Sequence, residues 1–119
     1  MALMALVLSI AVPRYSMHLT QLRRLEAKSA LIKLSSAMET YYLEHNSYSG
    51  VNLSVLKMPE YIARNSYRLV IANNRGRYYQ LQAIPQNTQI TKDPYCGILS
   101  LNSLGARAIS GSAGVLDCW

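Results

Sequence analysis

The sequence predicts an α+β fold: a long N-terminal amphipathic helix packed on a roughly four-stranded antiparallel sheet, ending in a disulfide-bounded C-terminal region. Three observations carry this. Residues 14–46 contain neither proline nor glycine, residues 67–110 hold runs of strand character around turn residues, and the two cysteines, Cys96 and Cys118, fall just short of the C-terminus. At 119 residues the chain has the length of one domain.

The first element is a helix in two functional halves, residues 1–25 and 26–119 dividing into a protruding segment and a globular body. Residues 1–12 (MALMALVLSIAV) carry no charge. No basic region precedes them and no small-residue cleavage site follows, so they read as a retained hydrophobic helix rather than a discarded signal peptide. Pro13 should interrupt or kink the helix, because it removes an N–H and clashes with the preceding turn. Further on, Ala27, Ala30, Leu31, Leu34, Ala37, Met38, Tyr41, Tyr42 and His45 recur at three- and four-residue intervals and form one stripe that should pack on the body. A stripe that begins near Ala27 leaves the preceding residues little reason to touch that body. The helix should end in Asn46-Ser47-Tyr48-Ser49-Gly50, a run of turn formers.

A loop over residues 50–65 leads to the sheet. Residues 67–72 and 77–83 flank Asn73-Asn74-Arg75-Gly76, which reads as a hairpin turn. In the second run Tyr79, Leu81 and Ala83 share one face while Tyr78, Gln80 and Gln82 share the other, as in a half-buried strand. Residues 85–94 read as a polar connection. Residues 97–101 and 106–110 form a second hairpin about Asn102-Ser103-Leu104-Gly105, and a last turn leads into residues 115–119. One sheet face needs a cover, which the apolar stripe supplies.

Cys96 and Cys118 match neither a CxxC redox pair nor a complete metal site. A disulfide closing the last 23 residues fits them better and places the chain in an oxidising compartment; a buried pair of free thiols is the alternative.

Catalytic groups are sparse, and no enzyme is expected. His18 and His45 stand 27 residues apart on one helix, about 40 Å, and cannot share a metal ion. Glu26, Glu39, Glu44, Glu60, Asp93 and Asp117 show no metal-ligand spacing, and the glycines form no phosphate-binding loop. No cofactor is called for.

The net charge is +6, from 12 Lys/Arg against 6 Asp/Glu, and most of the excess follows residue 50. Arg64, Arg68, Arg75 and Arg77 lie close together in sequence and could form a positive patch for DNA or an acidic partner; a solvated basic surface is the plainer reading. Tyrosine is abundant, nine against one Trp and no Phe. Its ring buries area while its hydroxyl reaches a polar partner, which suits a thin core, subunit contacts or stacking beside arginine on nucleic acid.

An apolar segment ending in Pro13-Arg14-Tyr15, a continuous amphipathic helix, a small antiparallel sheet and a near-terminal cysteine pair together resemble the type IV pilins. The resemblance is nearest to minor pilins related to the major-subunit class. The stretch LMALVLSIAVPRYSMHLTQLRRLEAKSALIKLSSAMETYYLEHNSYSG is similar to the family's N-terminal helix, and YCGILSLNSLGARAISGSAGVLDCW to its disulfide-bounded terminus. The resemblance implies that Met1, Leu3, Met4, Leu6, Val7, Leu8, Ile10, Val12 and Pro13 belong to a membrane anchor that becomes filament core. It also implies a leader, a cleavage junction and a glutamate upstream of Met1; adding about nine apolar residues to the first twelve reaches the roughly 20 that a bilayer span needs.

On this resemblance the chain is expected to be a structural subunit of a bacterial type IV pilus. It would be held in the inner membrane with its body in the periplasm, then extracted into an extracellular filament serving adhesion, twitching motility or DNA uptake. The implied partners are other pilin subunits, the inner membrane, the pilus assembly machinery, and DNA or a host or surface ligand. A pseudopilin of type II secretion is one alternative, which the terminal cysteine pair and the shortage of carboxylates for a calcium cage disfavour. A DNA-binding minor or tip pilin of the competence system is the other.

Overall fold

The computed structural model describes residues 2–119, with side chains described from residue 17 onward. Helix α1 runs Ala2–His45. The helix runs on through Pro13, so the interruption expected there is not found; a proline at such a position costs one helical hydrogen bond. The side chains of the proposed core segment, Met1, Leu3, Met4, Leu6, Val7, Leu8, Ile10, Val12 and Pro13, lie outside the described residues. Among the described residues no helix is long and apolar enough to cross a membrane. The molecule measures 66 × 28 × 19 Å. Its radius of gyration, 17.3 Å, exceeds the roughly 13.5 Å of a compact chain of this length because α1 projects beyond the body.

The body is a meander of five antiparallel strands in spatial order β1-β2-β3-β4-β5: Tyr61–Ile62, Tyr67–Arg75, Tyr78–Pro85, Leu99–Asn102 and Arg107–Ile109. Sequence reading finds four of them. β1 is missed because two residues are too short to show alternation, and only pairing of Tyr61 with Arg68 and Ile62 with Tyr67 makes it a strand. Two short helices are likewise missed, α2 at Thr88–Lys92 inside the expected polar connection and α3 at Val115–Cys118.

The β2–β3 hairpin is longer and its turn tighter than expected. Between Ile71 and Asn73 the register slips by one residue, so Ala72 forms a bulge and the strands continue to the pair Arg75–Tyr78. The turn is Gly76-Arg77, with Gly76 at φ 57°, the left-handed conformation that the first position of a II′ turn demands. Asn73-Asn74 looked like turn residues but belong to β2. The bulge reverses the facing pattern, and Asn74 donates its Nδ2–H to the Val51 carbonyl at 3.1 Å.

Core packing follows the predicted stripe. Ala27, Leu31, Leu34 and Met38 of α1 are buried against Leu69, Tyr79, Leu81, Ala83, Leu99 and Leu101 of the sheet. Ala30, Tyr41 and Tyr42 pack at the margin. Each large apolar side chain so buried contributes about 1.5–3 kcal/mol. His45 is exposed, not docked; its ring stacks on Tyr41 at 4.0 Å, and its Nδ1 bonds the Tyr41 carbonyl oxygen at 3.0 Å. Cys96, before β4, is joined to Cys118 in α3 by a disulfide with Cα atoms 5.7 Å apart. The thiol-pair alternative is thereby excluded.

Candidate nucleic-acid interface and the neck of the helix

Among the described residues, contacts between α1 and the body extend back through Arg24 to Thr20. Arg24 Nη1 donates to Asp93 Oδ1 at 2.7 Å and to Cys96 Sγ at 3.2 Å. One turn earlier, the Thr20 carbonyl accepts from Gln89 Nε2 at 3.1 Å, and the same amide donates to the Tyr67 hydroxyl at 3.0 Å. Tyr67 in turn reaches Asp93 Oδ2 at 3.5 Å. Helix α2 and the residues after it thus form a polar clasp on the neck of α1. Thr20, Arg24, Ala27, Leu31, Leu34 and Met38 continue a single three-four stripe. The spacing was in the sequence, but a pattern weighted by hydrophobicity stops at Ala27.

Burial sets the tyrosine chemistry. Tyr67 is raised to about 12, chiefly by burial, with the Gln89 amide opposing and the Asp93 charge assisting. Tyr48 and Tyr79 are raised as well, burial again leading. Both hydroxyls donate to Glu39 Oε1, at 2.9 and 3.3 Å, and Ser35 lies 2.7 Å from Tyr79 Oη. Tyr48 and Tyr79 meet edge to face with centroids 4.8 Å apart. These three tyrosines are core and network residues. Tyr78 instead stands exposed beside the hairpin turn.

The four arginines do not form one patch. Arg64 lies in the turn after β1, within three successive left-handed residues, Ala63, Arg64 and Asn65. Arg68 Nε donates to Glu60 Oε1 at 2.9 Å, which offsets its charge. Arg75 closes the other end of β2, about 23 Å from Arg68 at 3.3 Å per residue, and Arg77 follows in the turn. Both are exposed and flank Gly76. Beside them the solvent face of the sheet carries Asn73, Tyr78, Gln80 and Asn102; Gln80 pairs with Asn73 on one side and Asn102 on the other. The site at this tip is therefore two cations, a phenol and the amides of Asn73 and Gln80; Asn102 instead holds its own turn, its Oδ1 accepting from the Leu104 and Ala106 N–H groups, each at 3.0 Å. The amides of Asn and Gln can both donate and accept, as reading base edges requires. Among the described residues no cluster suits a metal ion.

A long helix whose second half docks on an antiparallel meander, with the terminal segment closed by a disulfide, defines a pilin-type protein. Solved structures with this architecture include the non-core minor pilin PilV of Neisseria meningitidis, at TM-score 0.62 and 23% identity, covering 82% of this chain and 94% of that one. A type IV pilin from Shewanella oneidensis is similar at TM-score 0.54 and 26% identity, covering 84% and 97%. Residues 13–100 match the family described as "Type IV minor pilin ComP, DNA uptake sequence receptor", and the chain belongs to that family. No curated protein matches it. The chain is accordingly a type IV pilus subunit, and the family assignment sets the secretion pseudopilin alternative aside.

Proposed function

We propose that this pilin binds double-stranded DNA at the tip of the β2–β3 hairpin and serves DNA uptake from within a pilus. The observation that carries the reading is the exposed pair Arg75 and Arg77 beside Tyr78, in a chain whose family is described by a DNA uptake sequence receptor. The arginines meet phosphates and fix position, while Asn73 and Gln80 face base edges. Arg68 contributes little, its charge being offset by Glu60. Arg64, remote from the tip, is a secondary phosphate contact at most.

The apolar segment of residues 1–12 anchors the subunit in the inner membrane before assembly and joins the filament core afterwards, with other pilins as its neighbours. Apolar side chains are satisfied in either surrounding. The Cys96–Cys118 disulfide suits a body that matures in the periplasm and works outside the cell.

The reading is tested in cells by replacing Arg75→Gln and Arg77→Gln together. DNA uptake falls by about tenfold or more if each contact is worth its usual share, while the amount of the chain in sheared filaments is unchanged. Equal uptake by the double variant would overturn it.

A further inference from the structure

The tip of the β2–β3 hairpin is held from behind by residues 47–51, the segment that follows α1. A two-residue hairpin turn commits the N–H and C=O of its flanking residues to the ladder and leaves those of its first turn residue to solvent. Here both groups of Gly76 are taken. Its carbonyl oxygen accepts from the Tyr48 N–H at 2.8 Å, and its N–H donates to Ser49 Oγ at 3.4 Å. Ser47 Oγ accepts from the Ser49 N–H and donates to Ser49 Oγ, each at 3.0 Å, so the acceptor of Gly76 is itself fixed. Two residues before Gly76, the Asn74 amide donates to the Val51 carbonyl. Arg75 thus stands between two anchor points, and Arg77 leaves from the second.

The segment is in turn tied to the body. Tyr48 is buried, meets Tyr79 edge to face, and donates its hydroxyl to Glu39 of α1. The Tyr41 hydroxyl, also from α1, donates to the Ser49 carbonyl at 3.0 Å. Asn74 pairs across the ladder with buried Tyr79, so its side chain lies on the face of the sheet opposite Arg75 and Tyr78. It is therefore placed to hold the tip and turned away from the surface that carries the cations.

We propose that residues 47–51 position the tip for duplex DNA, with Asn74 and Ser49 as positioning residues that act through Arg75 and Arg77 and do not themselves touch DNA. The proposal rests on DNA binding at that tip. A free hairpin end carrying two long cationic side chains loses backbone freedom when it settles on phosphates. A backbone already fixed at Asn74 and Gly76 has less to lose, which tightens binding without adding a contact.

The test is a double-mutant cycle on the oxidised full chain, titrated with labelled duplex DNA at low salt. Asn74→Ala and Ser49→Ala together should weaken binding by about fivefold or more, each alone by about twofold, while Ser49→Thr, which keeps the hydroxyl, retains it. In the Arg75→Gln, Arg77→Gln background the same pair of alanines should change nothing further, because the residues they replace act through the arginines. Without DNA, exchange of the Tyr48 and Gly76 amide hydrogens should speed up by about tenfold in the Asn74→Ala, Ser49→Ala variant, with the Leu81 amide in the core unchanged. Equal losses of affinity in both backgrounds would overturn the proposal, since they would mark direct contact or general loosening. Undiminished affinity of the alanine pair, or unchanged exchange at Tyr48 and Gly76, would overturn it too. These results leave DNA binding at the tip standing, whereas no binding by the natural protein would remove that reading and this one together.

Discussion

Arg24 on the neck of α1 and Asp93 beyond α2 form a salt bridge of 2.7 Å whose side chains are only 16% and 9% exposed. The same guanidinium touches Cys96 Sγ. One residue therefore ties the helix leaving the body to the segment that the disulfide closes.

Truncating Arg24→Ala should strand the Asp93 carboxylate and destabilise the body by about 3 kcal/mol. Thermal unfolding of Arg24→Ala, Asp93→Asn and the double variant measures this. The double variant should lose less than the sum of the singles, because removing both partners leaves no unpaired charge. Additive losses would show that the pair is not coupled.

Replacing Cys96→Ser and Cys118→Ser should cost about 3 kcal/mol, the loop-closure entropy of the 22-residue separation. The measurement is the melting temperature of the oxidised protein against the double variant. Identical melting would refute a stabilising bridge.

Gly111 lies against the disulfide-closed segment, its N–H donating to the Cys96 carbonyl at 3.1 Å. A Cβ there would fall on the Tyr95 carbonyl, which is backbone and cannot rotate aside. Gly111→Ala should therefore cost about 1–3 kcal/mol of overpacking. Denaturant unfolding checks it; a loss of a few tenths would show that the turn holding Tyr95 yields freely.

Stability should fall at alkaline pH through the buried phenols. The folded-state value of Tyr67 is raised to about 12 from 10.0, so the fold favours its neutral form. That contribution is fully present below pH 10 and is lost as pH rises through about 12. Tyr48 and Tyr79 act in the same direction. Phenolate absorbance should show these three ionising only as the body unfolds, and Tyr67→Phe should flatten the fall in stability across that window. Early ionisation of all nine tyrosines would contradict the buried network.

What was legible in the sequence is what repeats locally. The stripe from Ala27 to Tyr42, the alternation of Tyr79, Leu81 and Ala83, the hairpin about Asn102 and the cysteine pair all appear where the residues indicate. Elements set by tertiary partners were not. β1 exists only through its pairing with Tyr67 and Arg68, and α2 is too short to show a helical period. The bulge at Ala72 turned apparent turn residues into strand. The arginines illustrate the same limit: proximity in sequence became a separation of about 23 Å once β2 was extended. In the neck, Thr20 and Arg24 lie on the docking stripe but carry polar groups whose partners, Gln89 and Asp93, arrive from nearly seventy residues away.

The central claim is DNA binding at the hairpin tip, and the salt dependence of binding tests it most directly. Duplex DNA is titrated with the oxidised protein at several salt concentrations, for the natural sequence, for Arg75→Gln with Arg77→Gln, and for Arg68→Gln. The natural protein should bind with a linear log–log dependence. The tip variant should lose about two units of slope and bind more weakly, and Arg68→Gln should change little. Absence of binding at low salt, or a tip variant with undiminished slope, would contradict the account.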